Sequence, residues 1–286
     1  MDTIKQKYKA VNWNVPDNDY ALMFWEQNIR QFWIDTEYIP SKDIDSWKSL
    51  SPAMRECYKK ALGGLTLLDT LQSHTGMPMI IDHEESLQNK AVLSYMCMME
   101  AIHAKSYSTI FTTVATSDDI KNVFDWVQNN KYLQFKAATI DKHYRKLENK
   151  DISKEDLFMG LCASVLLESF LFYSGFFIPL WLCGQGHMVA SADIIKKIVA
   201  DESIHGVFVG LLAQEVYRKL PNPQQTKEKF LKLLNELYEN ELKYTEEIYT
   251  EVGLTADVKE YVRYNANKAL MNLGFEPIFE VKNVNP

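Results

Sequence analysis

Apolar and polar positions along this chain follow helical spacing, and Gly, Pro and short polar clusters mark where one helix stops and the next begins. The segment from Asp19 to Trp33 is helix-compatible and aromatic-rich, placed to lie across a bundle, and Pro40 closes the region that follows. Ser51 and Pro52 supply an N-cap and a first-turn proline for a helix running through Asp69 to about Ser73, with Gly76 and Pro78 expected to break it. From Glu84 to Thr116 there is no Pro or Gly, so a long helix is predicted. Ser117, Asp118 and Asp119 are read as the cap of a shorter helix, and Tyr132 to Leu147 as an amphipathic one that ends before the polar break at Asn149 to Asp151. Ser153 and Asp156 resemble a capping box that opens an apolar helix bearing Glu168. Gly184 and Gly186 separate it from a helix over Ala190 to Leu220, which Pro221 and Pro223 terminate. Two amphipathic helices follow, Gln225 to Val252 and Thr255 to Leu273, divided by Gly253 and closed by Gly274.

Composition agrees with an all-α chain. Hydrophobic residues make up 47% of the 286, while Gly and Pro number only 11 and 9, leaving ample core material and little loop punctuation. No compositional shift divides the chain, so residues 1–286 are read as one domain. A net charge of −7, spread through the helices, argues against the clustered basic face that nucleic acid requires, and no DNA or RNA contact is expected. Cys57, Cys97, Cys162 and Cys183 show no C-x-x-C spacing and read as reduced, buried small hydrophobes, which points to the cytoplasm. Met1 to Ala10 is polar and charged, so no secretory signal is read there.

One stretch is long and apolar enough to raise the question of a membrane. Phe158 to Cys183 contains Glu168 near its middle, where a charge costs about 2.5–3.5 kcal/mol in a bilayer, and Pro179 interrupts it. A buried core helix accounts for both the apolar run and the acid, and no membrane contact is expected.

Chemistry enters through a repeated motif. Glu100/His103 and Glu202/His205 are two copies of Glu-x-x-His, and each follows a lone acid, Asp69 or Glu168, by a similar distance in helical sequence. Residues three apart share a helix face, so each pair aims a carboxylate and an imidazole at one point. Two such pairs with two further carboxylates match the ligand set of ferritin-like dinuclear bundles. The neighbours of both motifs are apolar, and burying four acids and two histidines together is economical only if cations neutralise them. Carboxylate and imidazole suit iron or manganese. Tyr107 falls one turn beyond His103 on the same face. His74, His83, His143 and His187 read as surface or capping residues.

The runs Leu65–Gln72 (LTLLDTLQ), Met99–Ser108 (MEAIHAKSYS), Leu167–Gly175 (LESFLFYSG) and Asp201–Gly206 (DESIHG) resemble the small, radical-generating subunit of class I ribonucleotide reductase, most closely its class Ib branch. The resemblance extends over essentially the whole chain. It implies that Asp69, Glu100 and His103 hold one metal ion and Glu168, Glu202 and His205 the other, with Glu100 bridging. It further implies that Tyr107 carries the stable radical and that Phe172, Phe176 and Ile198 shield it. Trp33 and Asp201 resemble the family's route for passing the radical, through His103, between the site and the surface.

The implied protein is a homodimer that generates a tyrosyl radical with dinuclear manganese or iron and passes it to a large catalytic subunit, which reduces ribonucleoside diphosphates. Class Ib resemblance favours manganese with superoxide from a flavodoxin-like activator, while iron with dioxygen stays open. All six ligand positions are intact, which implies a metal-dependent form rather than the metal-free variant some relatives adopt. Family chains usually end in a flexible tail carrying a relay tyrosine, and here the sequence stops at Asn283 to Pro286, so that tail is read as missing. Two rivals stand beside this reading: an R2-like ligand-binding oxidase, which typically has Glu where Asp69 stands, and a metal-storage bundle without a catalytic radical.

Overall fold

The computed structural model describes residues 8–282, so most of the polar stretch at Met1 to Ala10 and the ending at Asn283 to Pro286 lie outside the described residues. Helix α1 (Ala21–Arg30) is followed by short 3-10 turns and α2 (Ile44–Ser49). Then come α3 (Pro52–Leu71), α4 (Met77–His83), α5 (Leu87–Val114), α6 (Ser117–Asn129) and α7 (Lys131–Arg145). The second half holds α8 (Lys154–Leu166), α9 (Tyr173–Gly184), α10 (Val189–Tyr217), α11 (Pro223–Tyr249) and α12 (Thr255–Asn272). No strand occurs among the described residues.

Four long elements make the core: α3 packs on α5, α8 and α9 pack on α10, and these two pairs close on each other through α3 with α9 and α5 with α10. Helix α1 lies across α5 and α10 as expected, while α6, α7, α11 and α12 wrap the outside. All four core elements are apolar around much of their circumference, as helices buried on several sides must be.

Local chemistry sets the helix starts. The Ser51 hydroxyl accepts from the Met54 amide at 3.1 Å, and the Ser153 hydroxyl accepts from the Asp156 amide at 3.0 Å, the caps read from sequence. The cap of α6 sits one residue earlier than expected. Thr116 and Asp119 form a reciprocal capping box: the Thr116 hydroxyl accepts from the Asp119 amide at 3.1 Å, and the Asp119 carboxylate accepts from the Thr116 amide at 3.3 Å.

Two expected breaks do not occur. Gly76 and Pro78 fail to end their helix: Gln72–Gly76 forms a π-turn that carries α3 into α4, and Pro78 sits just past that turn, at the start of α4. Pro179 likewise lies inside α9 without interrupting it. The helical stretch Lys154–Gly184 is continuous, and 94% of its most apolar window is buried in the protein, so packing on every side offsets the roughly 3 kcal/mol of an internal proline. This is the one helix among the described residues long and apolar enough to cross a membrane, and it is instead the centre of the core.

Close approach between α10 and the end of α12 depends on Gly210. A Cβ there would stand 2.3 Å from the Asn272 carbonyl oxygen, a backbone atom that cannot swing aside. Gly210→Ala is expected to destabilise the metal-free protein by about 1–3 kcal/mol, the usual penalty for overpacking, read as a lower thermal midpoint. An unchanged midpoint would show that α12 is free to shift.

Candidate metal centre

Each acid expected to bind metal projects from a different core element. Asp69 comes from the last turn of α3, Glu100 and His103 from the middle of α5, Glu202 and His205 from the middle of α10. Glu168 lies in a second π-turn, Leu167–Leu171, which links α8 to α9. A π-turn inserts one residue into the helical register and so re-aims the side chains on it, which explains its occurrence beside both lone acids. All six side chains are fully buried.

Ligand atoms of Asp69, Glu100, His103 and Glu202 lie within 4.8 Å of one another, and so do those of Glu100, Glu168, Glu202 and His205. Glu100 and Glu202 belong to both groups. Sequence resemblance pointed to Glu100 as the shared carboxylate; geometry adds Glu202, which stands 3.0 Å from His103 Nδ1 and 3.7 Å from His205 Nδ1. Glu100 accepts from His205 Nδ1 at 2.7 Å, and His103 Nδ1 is 3.6 Å from Asp69.

Many donor atoms here have no hydrogen-bond partner: both oxygens of Asp69 and of Glu202, one each of Glu100 and Glu168, and His103 Nδ1. Buried carboxylate oxygens left unpaired cost several kcal/mol apiece unless something positive sits between them. This donor set, carboxylate-rich with two imidazoles, therefore fits a pair of divalent or trivalent cations.

The protonation pattern without ions makes the same point. Burial pushes the Asp69 and Glu168 carboxyls well above the usual range, with the charges of Glu100 and Glu202 adding to it. Burial would also raise Glu100, but His103 close by, the hydrogen bond from His205 and the positive charge of both rings hold it down at about 2. Burial opposes charging His103 and His205, yet the surrounding carboxylates win and raise both. Protons thus stand where cations would neutralise the cluster.

Tyr107 is fully buried, and its hydroxyl makes no hydrogen bond. Burial raises its pKa far above the ordinary phenol, and the charge of Asp69 reinforces the shift. Phe172, Phe176 and Ile198 are completely buried, with the two Phe rings 6.1 Å apart.

Trp33, Asp201 and His103 form a continuous line. Trp33 Nε1 donates to Asp201 Oδ2 at 2.7 Å, and the same oxygen lies 3.0 Å from His103 Nε2. The Trp33 and His103 rings also stack at 5.8 Å, only 15° from parallel. Burial would raise Asp201, but the His103 hydrogen bond and charge lower it, so it stays an anion.

Sequence reasoning missed the groups behind these residues. Gln72 donates to Glu168 and, at 2.8 Å, to Ser164, while Tyr144 donates to Gln72 Oε1 at 2.5 Å. Gln31 donates to Asp201 at 2.8 Å. The available signal was position: Gln72 follows Asp69 by one turn, and an amide on an apolar ligand-bearing face needs a polar partner. The remaining histidines are not ligands here. His83 bonds the Leu147 carbonyl at 2.6 Å and His187 lies 3.3 Å from Ser46 Oγ, but His143 is half-buried rather than superficial, and burial with Lys146 and Lys142 lowers it to about 4.

Comparison with known proteins adds identity of sequence to this geometry. The family model described as "Ribonucleotide reductase, small chain" matches residues 10–286. A protein of Bacillus phage SPbeta named "Ribonucleoside-diphosphate reductase subunit beta" is 53% identical, covering 98% of this chain and 85% of that one. A Bacillus subtilis protein of the same name is 51% identical over the same shares. The crystal structure of Streptococcus sanguinis dimanganese(II)-NrdF superposes with a TM-score of 0.92 at 43% identity, covering 98% of both chains.

Proposed function

This chain belongs to the ribonucleotide reductase small-chain family, a class I small subunit of ribonucleoside-diphosphate reductase, and from that premise we propose how its own residues generate and export an oxidising equivalent. A small subunit of this oxidoreductase works as a homodimer with a large subunit. The ligand-binding oxidase and metal-storage readings are not favoured.

The observation that carries the proposal is the buried, unpaired carboxylate and imidazole cluster next to an unpaired tyrosine hydroxyl. Asp69, Glu100 and His103 would hold one ion and Glu168, Glu202 and His205 the second, with Glu100 and Glu202 placed to share. When bound, the ions supply the one-electron oxidant that Tyr107 requires. Tyr107 keeps its proton until oxidation because burial and the charge of Asp69 disfavour the phenolate, and Asp69 would take that proton on oxidation. Phe172, Phe176 and Ile198 exclude water, so the tyrosyl radical is not quenched. Asp201 fixes the His103 tautomer and couples it to Trp33, which forms the inner part of the export route to the large subunit.

Manganese is the proposed metal, supported by the class Ib resemblance and by the dimanganese form of the 43% identical Streptococcus protein. Superoxide from a flavodoxin-like activator is the proposed oxidant, and the cytoplasm the proposed location. The test is reconstitution with a large subunit and measurement of deoxyribonucleotide formation. Trp33→Phe removes the Nε1 donor and is expected to leave the radical intact while turnover falls at least about 10–100-fold, the usual loss when a ligand's outer partner goes. Full turnover in that variant would move the route elsewhere.

A further inference from the structure

His103 and His205 present the same atom, Nδ1, to the carboxylate cluster. Their rings lie 6.0 Å apart and only 21° from parallel, so both Nε2 atoms point away from the cluster. Once Nδ1 serves as a ligand atom, the ring proton sits on Nε2 and needs an acceptor. His103 has one in Asp201. His205 Nε2 is buried with no hydrogen-bond partner.

Helix α1 crosses this side of the molecule antiparallel to α10, and three contacts fix its register. Tyr20 donates to Glu215 at 2.6 Å, the rings of Phe24 and Phe208 lie 5.0 Å apart, and Gln31 donates to Asp201 at 2.8 Å. Phe24, Asn28 and Gln31 occupy one face of α1 at i, i+4 and i+7, and Asp201, His205 and Phe208 occupy one face of α10 in the same spacing. Between the Phe24–Phe208 and Gln31–Asp201 contacts, the residue of α1 opposite His205 is Asn28. Asn28 is fully buried, and both its amide oxygen and its amide nitrogen lack partners. A wholly unpaired buried amide costs roughly 1–3 kcal/mol for each group left without a partner, so its retention in an otherwise apolar contact calls for an occupant.

We propose that Asn28 is a positioning residue for the metal centre: its amide oxygen takes the outer N–H of His205 through one bridging water, as Asp201 takes that of His103 directly. A shared polar site of this kind gives a water the two to four partners it needs. The consequence is chemical asymmetry. A carboxylate behind His103 makes that imidazole a stronger donor, whereas a neutral amide behind His205 leaves the second position less electron-rich. Tyr95 of α5, whose ring lies 6.5 Å from that of Phe32 just past α1, also carries a buried hydroxyl without a partner and is the competing candidate for the same role.

The inference rests on the metal-centre reading above, and its test separates the two. Manganese(II) binding is titrated on the full chain by calorimetry with metal analysis, and the thermal midpoint of the metal-free protein is recorded alongside. Wild type is expected to take up two ions per chain; failure there would sink the metal-centre reading itself. Asn28→Leu is expected to weaken one of the two binding steps about 10–100-fold while leaving the metal-free midpoint equal or higher, since an unpaired buried amide has been removed. Asn28→Asp keeps the acceptor and is expected to retain both steps. Two unchanged steps in Asn28→Leu would overturn the assignment. So would a lowered metal-free midpoint with normal binding, the mark of a packing role, or a loss found in Tyr95→Phe and absent from Asn28→Leu.

Discussion

Tyr107→Phe is expected to abolish the proposed tyrosyl radical and reduce nucleotide turnover to background, while metal uptake stays at the wild-type level. The reason lies in what the hydroxyl does and does not touch. It is buried and makes no hydrogen bond, so its removal leaves no partner stranded and the ring still fills its site. Metal uptake is proposed to depend on the six carboxylate and imidazole side chains, none of which uses the phenol as a partner. Fold, stability and loading should therefore be preserved, and the redox function alone lost. The check is paramagnetic resonance with metal analysis on matched samples, and a full radical signal in the variant would remove Tyr107 from the role.

Glu202→Ala is expected to have the second large effect, and on a different observable. Because Glu202 lies within reach of both histidines and is common to both ligand groups, its loss takes negative charge from both positions at once. Uptake should fall from two ions to one or none, a greater loss of affinity than the roughly 10–100-fold that follows removal of an outer partner of a ligand. Truncating Asp69, which belongs to one group only, should leave the other ion in place. Equal losses in the two variants would contradict the shared position of Glu202.

The parts of this site legible in the sequence are those fixed by helical periodicity. Glu100, His103 and Tyr107 had to share a face at i, i+3 and i+7, and a doubled Glu-x-x-His with a lone acid upstream of each copy is a demanding pattern that a pair of metal ions satisfies. The apolar run around Glu168 was legible as a core helix because a charge at its centre is expensive in lipid. What escaped were features that break periodicity or depend on contacts between distant segments. The π-turns at Gln72–Gly76 and Leu167–Leu171 shift the register by one residue, and no propensity marks them. Pro179 looked like an interruption because the burial on every side that offsets it is a tertiary quantity. Gln72 and Gln31 looked like ordinary polar residues until the fold set them against Glu168 and Asp201, and Glu202 could not be seen to straddle both groups from spacing alone.

The central claim is that a buried dinuclear site oxidises Tyr107. The most direct measurement is electron paramagnetic resonance with metal quantification on protein loaded either with iron and dioxygen or with manganese and a superoxide-generating flavodoxin-like protein. The account predicts a tyrosyl radical coupled to two ions per chain, obtained with the manganese regime. Two bound ions without a radical under either regime would contradict it.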